Sequence, residues 1–205
     1  MKIALFGATG GTGRQIAEQG LAAGHEIKAL VRTPAKFDLE HKNLEVIAGN
    51  VLEMADVVQT IDGCQAVISS LGNTSRNPKM VVSMGTQHIM DTMEKQGIKR
   101  LIVVSSLGVG DSKDQTSFLF KIVAKTFLRN VMADKEQTEA LIRKSDLDWT
   151  IVRPGGLSNK PKTGNYSVGL DVSAGGKGIS RGDVADFVLK QLDDLAFLRS
   201  TPGIV

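Results

Sequence analysis

The stretch LFGATGGTGRQIA, residues 5–17, constrains the chain more than any other. Five of the seven residues from Gly7 to Gly13 are glycine or alanine. They follow the apolar run KIALF (2–6) and lead into a helical pattern over 12–23. A generic turn needs one or two small residues. So dense a cluster implies that a large, negatively charged group comes close to the backbone. Gly7, Gly10 and Gly13 are spaced G-x-x-G-x-x-G, with Gly11 as a further small residue. A tight turn out of the strand needs backbone freedom, and a side chain at the middle glycine would hold a pyrophosphate away. The N–H groups that open the helix then face the phosphates, helped by the helix dipole. Thr9 and Thr12 either add hydroxyl donors to phosphate or cap the helix.

The rest of the chain alternates in the same way. EIKALV (26–31), LEVIA (44–48), QAVISSL (65–71), RLIVVSS (100–106) and DWTIVRP (148–154) read, with KIALF, as short strands that are largely apolar on both faces. That pattern belongs to a buried parallel sheet. Helical patterns occupy 12–23, 53–61, 78–96, 117–129, 134–145 and 180–192, the last with Ser180 as its cap. In the third, Val81, Met84, Gly85, His88, Ile89, Thr92 and Met93 fall on one face. Such alternation implies right-handed crossovers and an α/β fold, a doubly wound parallel sheet of Rossmann type with helices on both sides. Residues 155–180 are rich in Gly, Ser, Asn and Lys and have no helical period. Short strands and loops beside a substrate mouth are expected there. With no linker and no internal repeat, residues 1–205 are expected to form one domain.

Several function classes are excluded. The net charge is +3 and no run of like charges occurs, so nothing argues for nucleic acid. No stretch reaches the roughly 18 to 20 apolar residues of a membrane span, and the N-terminus does not read as a signal peptide. Cys64 is the only cysteine, which forbids an internal disulfide and fits a cytoplasmic, reducing location. His25, His41 and His88 lack metal-ligand spacing, so no metal is expected. The sequence leaves the oligomeric state open, with a monomer favoured over an oligomer.

The cofactor is read from the strand ends. The second strand ends ALVR, so Arg32 stands where an NAD-preferring fold places an acidic residue. A carboxylate repels a 2′-phosphate, whereas a guanidinium pairs with it through two parallel hydrogen bonds. NADP(H) is therefore preferred over NAD(H), with Lys36 and Arg14 able to add charge. Ligands lie at the carboxyl edge of such sheets. Asn50 and Val51 are then expected near adenine, and Leu71, Gly72 and Asn73 near the ribose and pyrophosphate. Ser105, Ser106 and Pro154, Gly155, Gly156 and Leu157 are expected near the nicotinamide.

FGATGGTG, LVR, GNVLEMADV, AVISSLGN, VVSS, DLDWTIVRPGGL, KTGNYSV and ISRGDVADFVL span nearly the whole chain in a recognisable order. The chain resembles the atypical, NmrA-like short-chain dehydrogenase/reductases. It is most similar to the group that includes biliverdin-IXβ reductase/flavin reductase. The resemblance implies that Gly7, Thr9, Gly10, Thr12, Gly13 and Arg32 hold the diphosphate and 2′-phosphate. It implies that Asn50 and Val51 flank the adenine, although relatives usually carry Asp at position 50. Leu71 and Gly72 would lie along the cofactor, and Pro154 through Leu157 along the nicotinamide. Two departures stand out. The family's Tyr-x-x-x-Lys set aligns Lys135 with its lysine but Val131 with its tyrosine, and the only tyrosine is Tyr166. Biliverdin-IXβ reductase has a histidine where this chain has Gly156, which points away from bilin reduction.

Without the tyrosine, ordinary ketone reduction loses its general acid, worth about 10²–10⁴-fold. A conjugated acceptor spreads the incoming charge over its ring system, and ring-to-ring positioning does most of the work. The residues thus favour an NADPH-dependent reductase of a flavin-like small molecule. Ser106 is the first choice beside the nicotinamide, Ser105 the second, and Lys135 the retained cation. A non-catalytic NADP(H) sensor that regulates a partner is the rival reading. A nucleotide-sugar epimerase or dehydratase is a further one, disfavoured by the missing tyrosine. SFLFKIVAKTFLRN (117–130) reads as a substrate-side wall, a subunit contact or a core helix.

Overall fold

The computed structural model describes residues 1–72, 80–116, 128–174 and 178–205. The expected helix over 117–129 lies almost wholly outside them, and so does Asn73. The expected strands and crossover helices form in order. These are β1 (Lys2–Phe6), α1 (Gly11–Ala22), β2 (Glu26–Val31), β3 (Leu44–Ala48), α2 (Met54–Ile61), β4 (Ala66–Ser69), α3 (Val81–Gln96) and β5 (Arg100–Val104). A 3-10 turn over Gly110–Gln115 precedes α4 (Arg129–Arg143) and β6 (Asp148–Pro154). Then come β7 (Leu157–Ser158), β8 (Val168–Gly169), β9 (Ile179–Ser180), α5 (Arg181–Lys190) and β10 (Gly203–Ile204).

The main sheet runs β3-β2-β1-β4-β5-β6-β10-β8. Every pairing in it is parallel except that of β8 with β10. The chain reverses its direction of travel between β1 and β4, which opens a crevice at their carboxyl ends. Alternation along β1 shows why both faces are covered. Ile3 and Leu5 join the cluster beneath α1 and α5, while Ala4 and Phe6 join the one beneath α2, α3 and α4. Burying Ile3, Leu5 or Phe6 contributes about 1.5–3 kcal/mol each.

Three local expectations shift. Helix α3 begins at Val81 because Met80 adopts a left-handed backbone, φ 64°. Of the expected face of α3, Val81, Gly85, Ile89, Thr92 and Met93 are buried, His88 is half-buried and Met84 is half exposed, while Val82 and Thr86 are buried besides. Helix α4 begins at Arg129, earlier than the expected 134. The Gly-rich region 155–180 does hold short strands: β7 pairs in parallel with β9, and β8 edges the main sheet. Ser180 caps α5, its Oγ accepting from the Asp183 amide at 2.9 Å. The Asp183 carboxylate in turn accepts from the Thr163 and Gly164 amides at 2.9 and 2.7 Å, tying that region to α5.

Candidate active site

The turn after β1 is built by steric necessity. Gly7 has φ 84°, and a Cβ on it would lie 2.4 Å from the Ser70 carbonyl oxygen at the end of β4. A Cβ on Gly13 would lie 2.1 Å from the Gly7 carbonyl oxygen. Helix and turn can close this tightly only with glycine at both places. Gly10 is the extended N-cap of α1 and supplies no side-chain hydrogen bond, and the first turn holds no acidic residue. Neither Thr9 nor Thr12 caps the helix. The opening amides therefore keep the positive end of the helix dipole for an outside anion.

Beside this turn is a cavity of about 300 Å³. Gly7, Thr9, Gly10, Arg32, Asn50, Val51, Leu71 and Gly72 line it, together with Phe6, Leu30, Gly49, Ser70 and Val81. Eight expected cofactor residues from four strand ends are thus brought together. On its protein side, a Cβ at Gly10 would meet only the Gly7 carbonyl oxygen, at 3.3 Å, and one at Gly72 would meet nothing within 4 Å. The exposed backbone of the turn and the mixed apolar and cationic lining fit a dinucleotide. Asn50 holds its own turn, its Oδ1 accepting from the Leu52 amide at 3.2 Å. Val51 is clamped by α3, where a Cβ on Gly85 would lie 2.8 Å from its methyl groups. Gly11, Thr12 and Gly13 lie in the first turn of α1 and do not line this cavity.

Arg14, named above as able to add charge, is paired within the chain. Its guanidinium pairs with Glu18 at 2.8 Å and with Asp38, and these carboxylates hold it. The Arg14 hydrogen bond keeps the Asp38 carboxyl below the usual range. Tyr166 is also accounted for elsewhere. Its hydroxyl donates to Asp186 at 2.6 Å, accepts from Lys190 at 3.1 Å, and its ring stands edge-on to Phe187.

The remaining expected residues cluster at the ends of β5 and β6, outside the cavity. Ser106 is half-buried, and its Oγ donates to the Leu107 carbonyl at 3.0 Å. The buried Ser105 Oγ donates to Glu139 at 2.6 Å. Lys135, on α4, donates to the Val104 carbonyl at 3.4 Å. Burial pulls its ammonium down to about 8, against the upward pull of Glu139 and Asp134. Pro154 ends β6 and is buried, whereas Gly156 (φ 126°) and Leu157 are exposed.

Beneath these residues lies a group that the motifs do not announce. Arg153 is 3% exposed and donates to Glu139 at 3.1 and 2.5 Å. It also pairs with Asp111 at 2.6 Å. Burial works against the Asp111 carboxyl, but Arg153 and Arg143 outweigh it and hold it below the usual range. Glu139 thus joins the end of β5 to the end of β6. Its place four residues after Lys135 on a helical pattern was the only signal for it. Asp134 is a second such residue. Its carboxylate accepts from the Val82 and Ser83 amides at 3.0 and 2.9 Å and so caps α3 from the neighbouring helix.

An uncapped glycine turn at the switch point of a β3-β2-β1-β4-β5-β6 sheet, opening on a cavity, defines a dinucleotide-binding Rossmann protein. The chain belongs to the NAD(P)H-binding family, which matches residues 7–195. An uncharacterized chloroplastic protein of Arabidopsis thaliana is 34% identical over 93% of this chain and 71% of its own length. The uncharacterized sugar epimerase YhfK of Bacillus subtilis is 30% identical over 95% of this chain and 89% of its own. Among solved structures, ChuY, an anaerobillin reductase from Escherichia coli O157:H7, superposes with a TM-score of 0.86 at 26% identity. That likeness covers 100% of this chain and 97% of the other. Among the described residues, no helix is long and apolar enough to cross a membrane, and no His, Cys, Asp or Glu cluster suits a metal ion.

Proposed function

We propose that the protein is an NADPH-dependent reductase of a conjugated small molecule, most simply a flavin-like one. The observation that carries this reading is a retained Lys135 at a site with no tyrosine. Val131 takes the tyrosine position, and Tyr166 is bound to Asp186 and Lys190. When bound, the nicotinamide supplies the hydride. The chain's own residues then hold the two rings in place. The α1 amides and Thr9 take the diphosphate, and Arg32 reads the 2′-phosphate. Lys135 presents a half-buried cation at the end of β5, where Ser106 orients the ring or its acceptor. Leu157 and Leu170, 44% and 58% exposed, offer apolar surface on the 155–174 side to a flat ring system. A conjugated acceptor suits this equipment, because its ring delocalises charge and water completes the protonation. The likeness to ChuY supports an acceptor of that class.

The test is steady NADPH oxidation with FMN, riboflavin and a panel of quinones and linear tetrapyrroles. Turnover with at least one acceptor is expected. Tight NADPH binding with no turnover across the panel would instead support the sensor reading, which the missing tyrosine also favours. The sugar epimerase named among the relatives is a weaker guide, since epimerisation calls on the tyrosine that this site lacks.

A further inference from the structure

The dinucleotide fingerprint requires glycine at positions 7, 10 and 13 and leaves Gly11 unexplained. A Cβ on Gly11 would lie 2.7 Å from both Cδ and Nε of Arg181. Arg181 is the first residue of α5 and is half-buried. Its side chain therefore lies across the first turn of α1, beside amides that no side chain caps. A cation there has the wrong sign, because a helix N-terminus is itself positive and favours anions. Asp183 offsets the start of α5, but the first turn of α1 has no acidic residue. Arg181 itself has no carboxylate partner among the described residues. Its guanidinium donates to the neutral Asn159 Oδ1 at 2.6 Å.

Topology adds a second reason. Arg181 directly follows β9, and β9 pairs with β7, which begins at Leu157. Asn159 directly follows β7. The arginine thus stands where the phosphate-binding turn meets the segment that follows the end of β6. Two positive features, the start of α1 and the Arg181 guanidinium, lie side by side, and glycine at position 11 leaves room for the arginine to pack on the turn.

We propose that Arg181 is a cofactor-binding residue that takes the diphosphate of the dinucleotide together with the α1 amides, and that Asn159 holds it in position. This rests on the NAD(P)H-binding reading above. The diphosphate is common to NADPH and NADH, so Arg181 should not discriminate between them, unlike Arg32.

Isothermal calorimetry on the intact chain tests this, with NADPH and NADH as probes. Arg181→Gln should weaken both by a similar factor, about 10- to 100-fold for one charge-assisted contact. Arg181→Lys should recover part of the loss, and Asn159→Ala should lose less in the same pattern. Thermal melts identify any variant that is merely unfolded; Arg181→Lys and Asn159→Ala then carry the comparison. Wild-type affinity for both nucleotides in folded Arg181→Gln would overturn the proposal. So would a loss confined to the KM of FMN, which would give Arg181 to the acceptor. A wild-type chain that binds neither nucleotide would sink the cofactor reading itself, whereas the variant-to-wild-type ratio judges Arg181 alone.

Discussion

Gly13 sits against Gly7 so closely that a methyl group on it would lie 2.1 Å from the Gly7 carbonyl oxygen. No side-chain rotation relieves such a clash, because the obstacle is backbone. Gly13→Ala should therefore push α1 away from the β1 turn. The expected cost is about 1–3 kcal/mol of stability, together with a large loss of NADPH affinity as the opening amides move. Chemical denaturation and calorimetry would measure the two. Gly10→Ala is the contrast, since its Cβ meets only one atom, at 3.3 Å. It should melt close to wild type while losing nucleotide affinity. Equal affinity in both variants and wild type would place the nucleotide elsewhere.

Arg32 lines the cavity at the end of β2, where a ribose 2′-phosphate would be read. Arg32→Asp replaces a charge-assisted pair with repulsion. NADPH affinity should fall by about 10- to 150-fold, from the roughly 1.5–3 kcal/mol of such a bond. NADH affinity should hold within a few-fold or improve. Equal losses for the two nucleotides would show that Arg32 does not read the 2′-phosphate.

Much of this could be seen in the chain alone, and the remainder has a common cause. Strand, turn and helix from Lys2 to Ala22 are local events, set by apolar runs, glycine geometry and spacing. The Ser180 cap is local too, spanning three residues. The Glu139, Arg153, Asp111 and Ser105 cluster is not. Its members lie on or next to four elements, and only the packing of α4 on the sheet brings Ser105 to Glu139 across 34 positions of sequence. A charged residue on a helical pattern reads as solvated until its partner is known. The same reason hid the pairing of Arg14 with Asp38 and the placing of Asp134 at the start of α3. Met84 was misassigned because its spacing puts it at the edge of the apolar stripe, where spacing alone does not separate core from rim.

Lys135 sets the expected pH dependence. Burial lowers its ammonium to about 8, so it is charged below that pH and neutral above. Turnover should decline on a basic limb near pH 8. Lys135→Met should lose the limb and about 10²-fold or more of the rate. Glu139→Gln removes a carboxylate that favours the charged ammonium, so the limb should move to lower pH. Rate profiles with NADPH and the best acceptor would measure both. A limb unmoved in Glu139→Gln would assign the titration to another group.

Asp183 ties Thr163 and Gly164 to the start of α5. It is 2% exposed, and its carboxylate accepts from Thr163 and Gly164 amides and from the Ser180 hydroxyl at 2.7 Å. Burial alone would raise its carboxyl, but Ser180, Gly164 and Thr163 outweigh burial and hold it below the usual carboxylate range. A carboxyl depressed on folding stabilises fully above its unfolded value and loses that contribution as pH falls through the folded one. Asp183→Ala should cost about 2–3 kcal/mol at neutral pH, since it leaves buried amides without acceptors. The deficit relative to wild type should be flat above about pH 5 and shrink below about pH 4, where wild type loses the same contribution. Urea unfolding of both proteins across this range measures it. A deficit that stays constant down to pH 2.5 would mean that the carboxylate's charge is irrelevant and that only the lost packing matters.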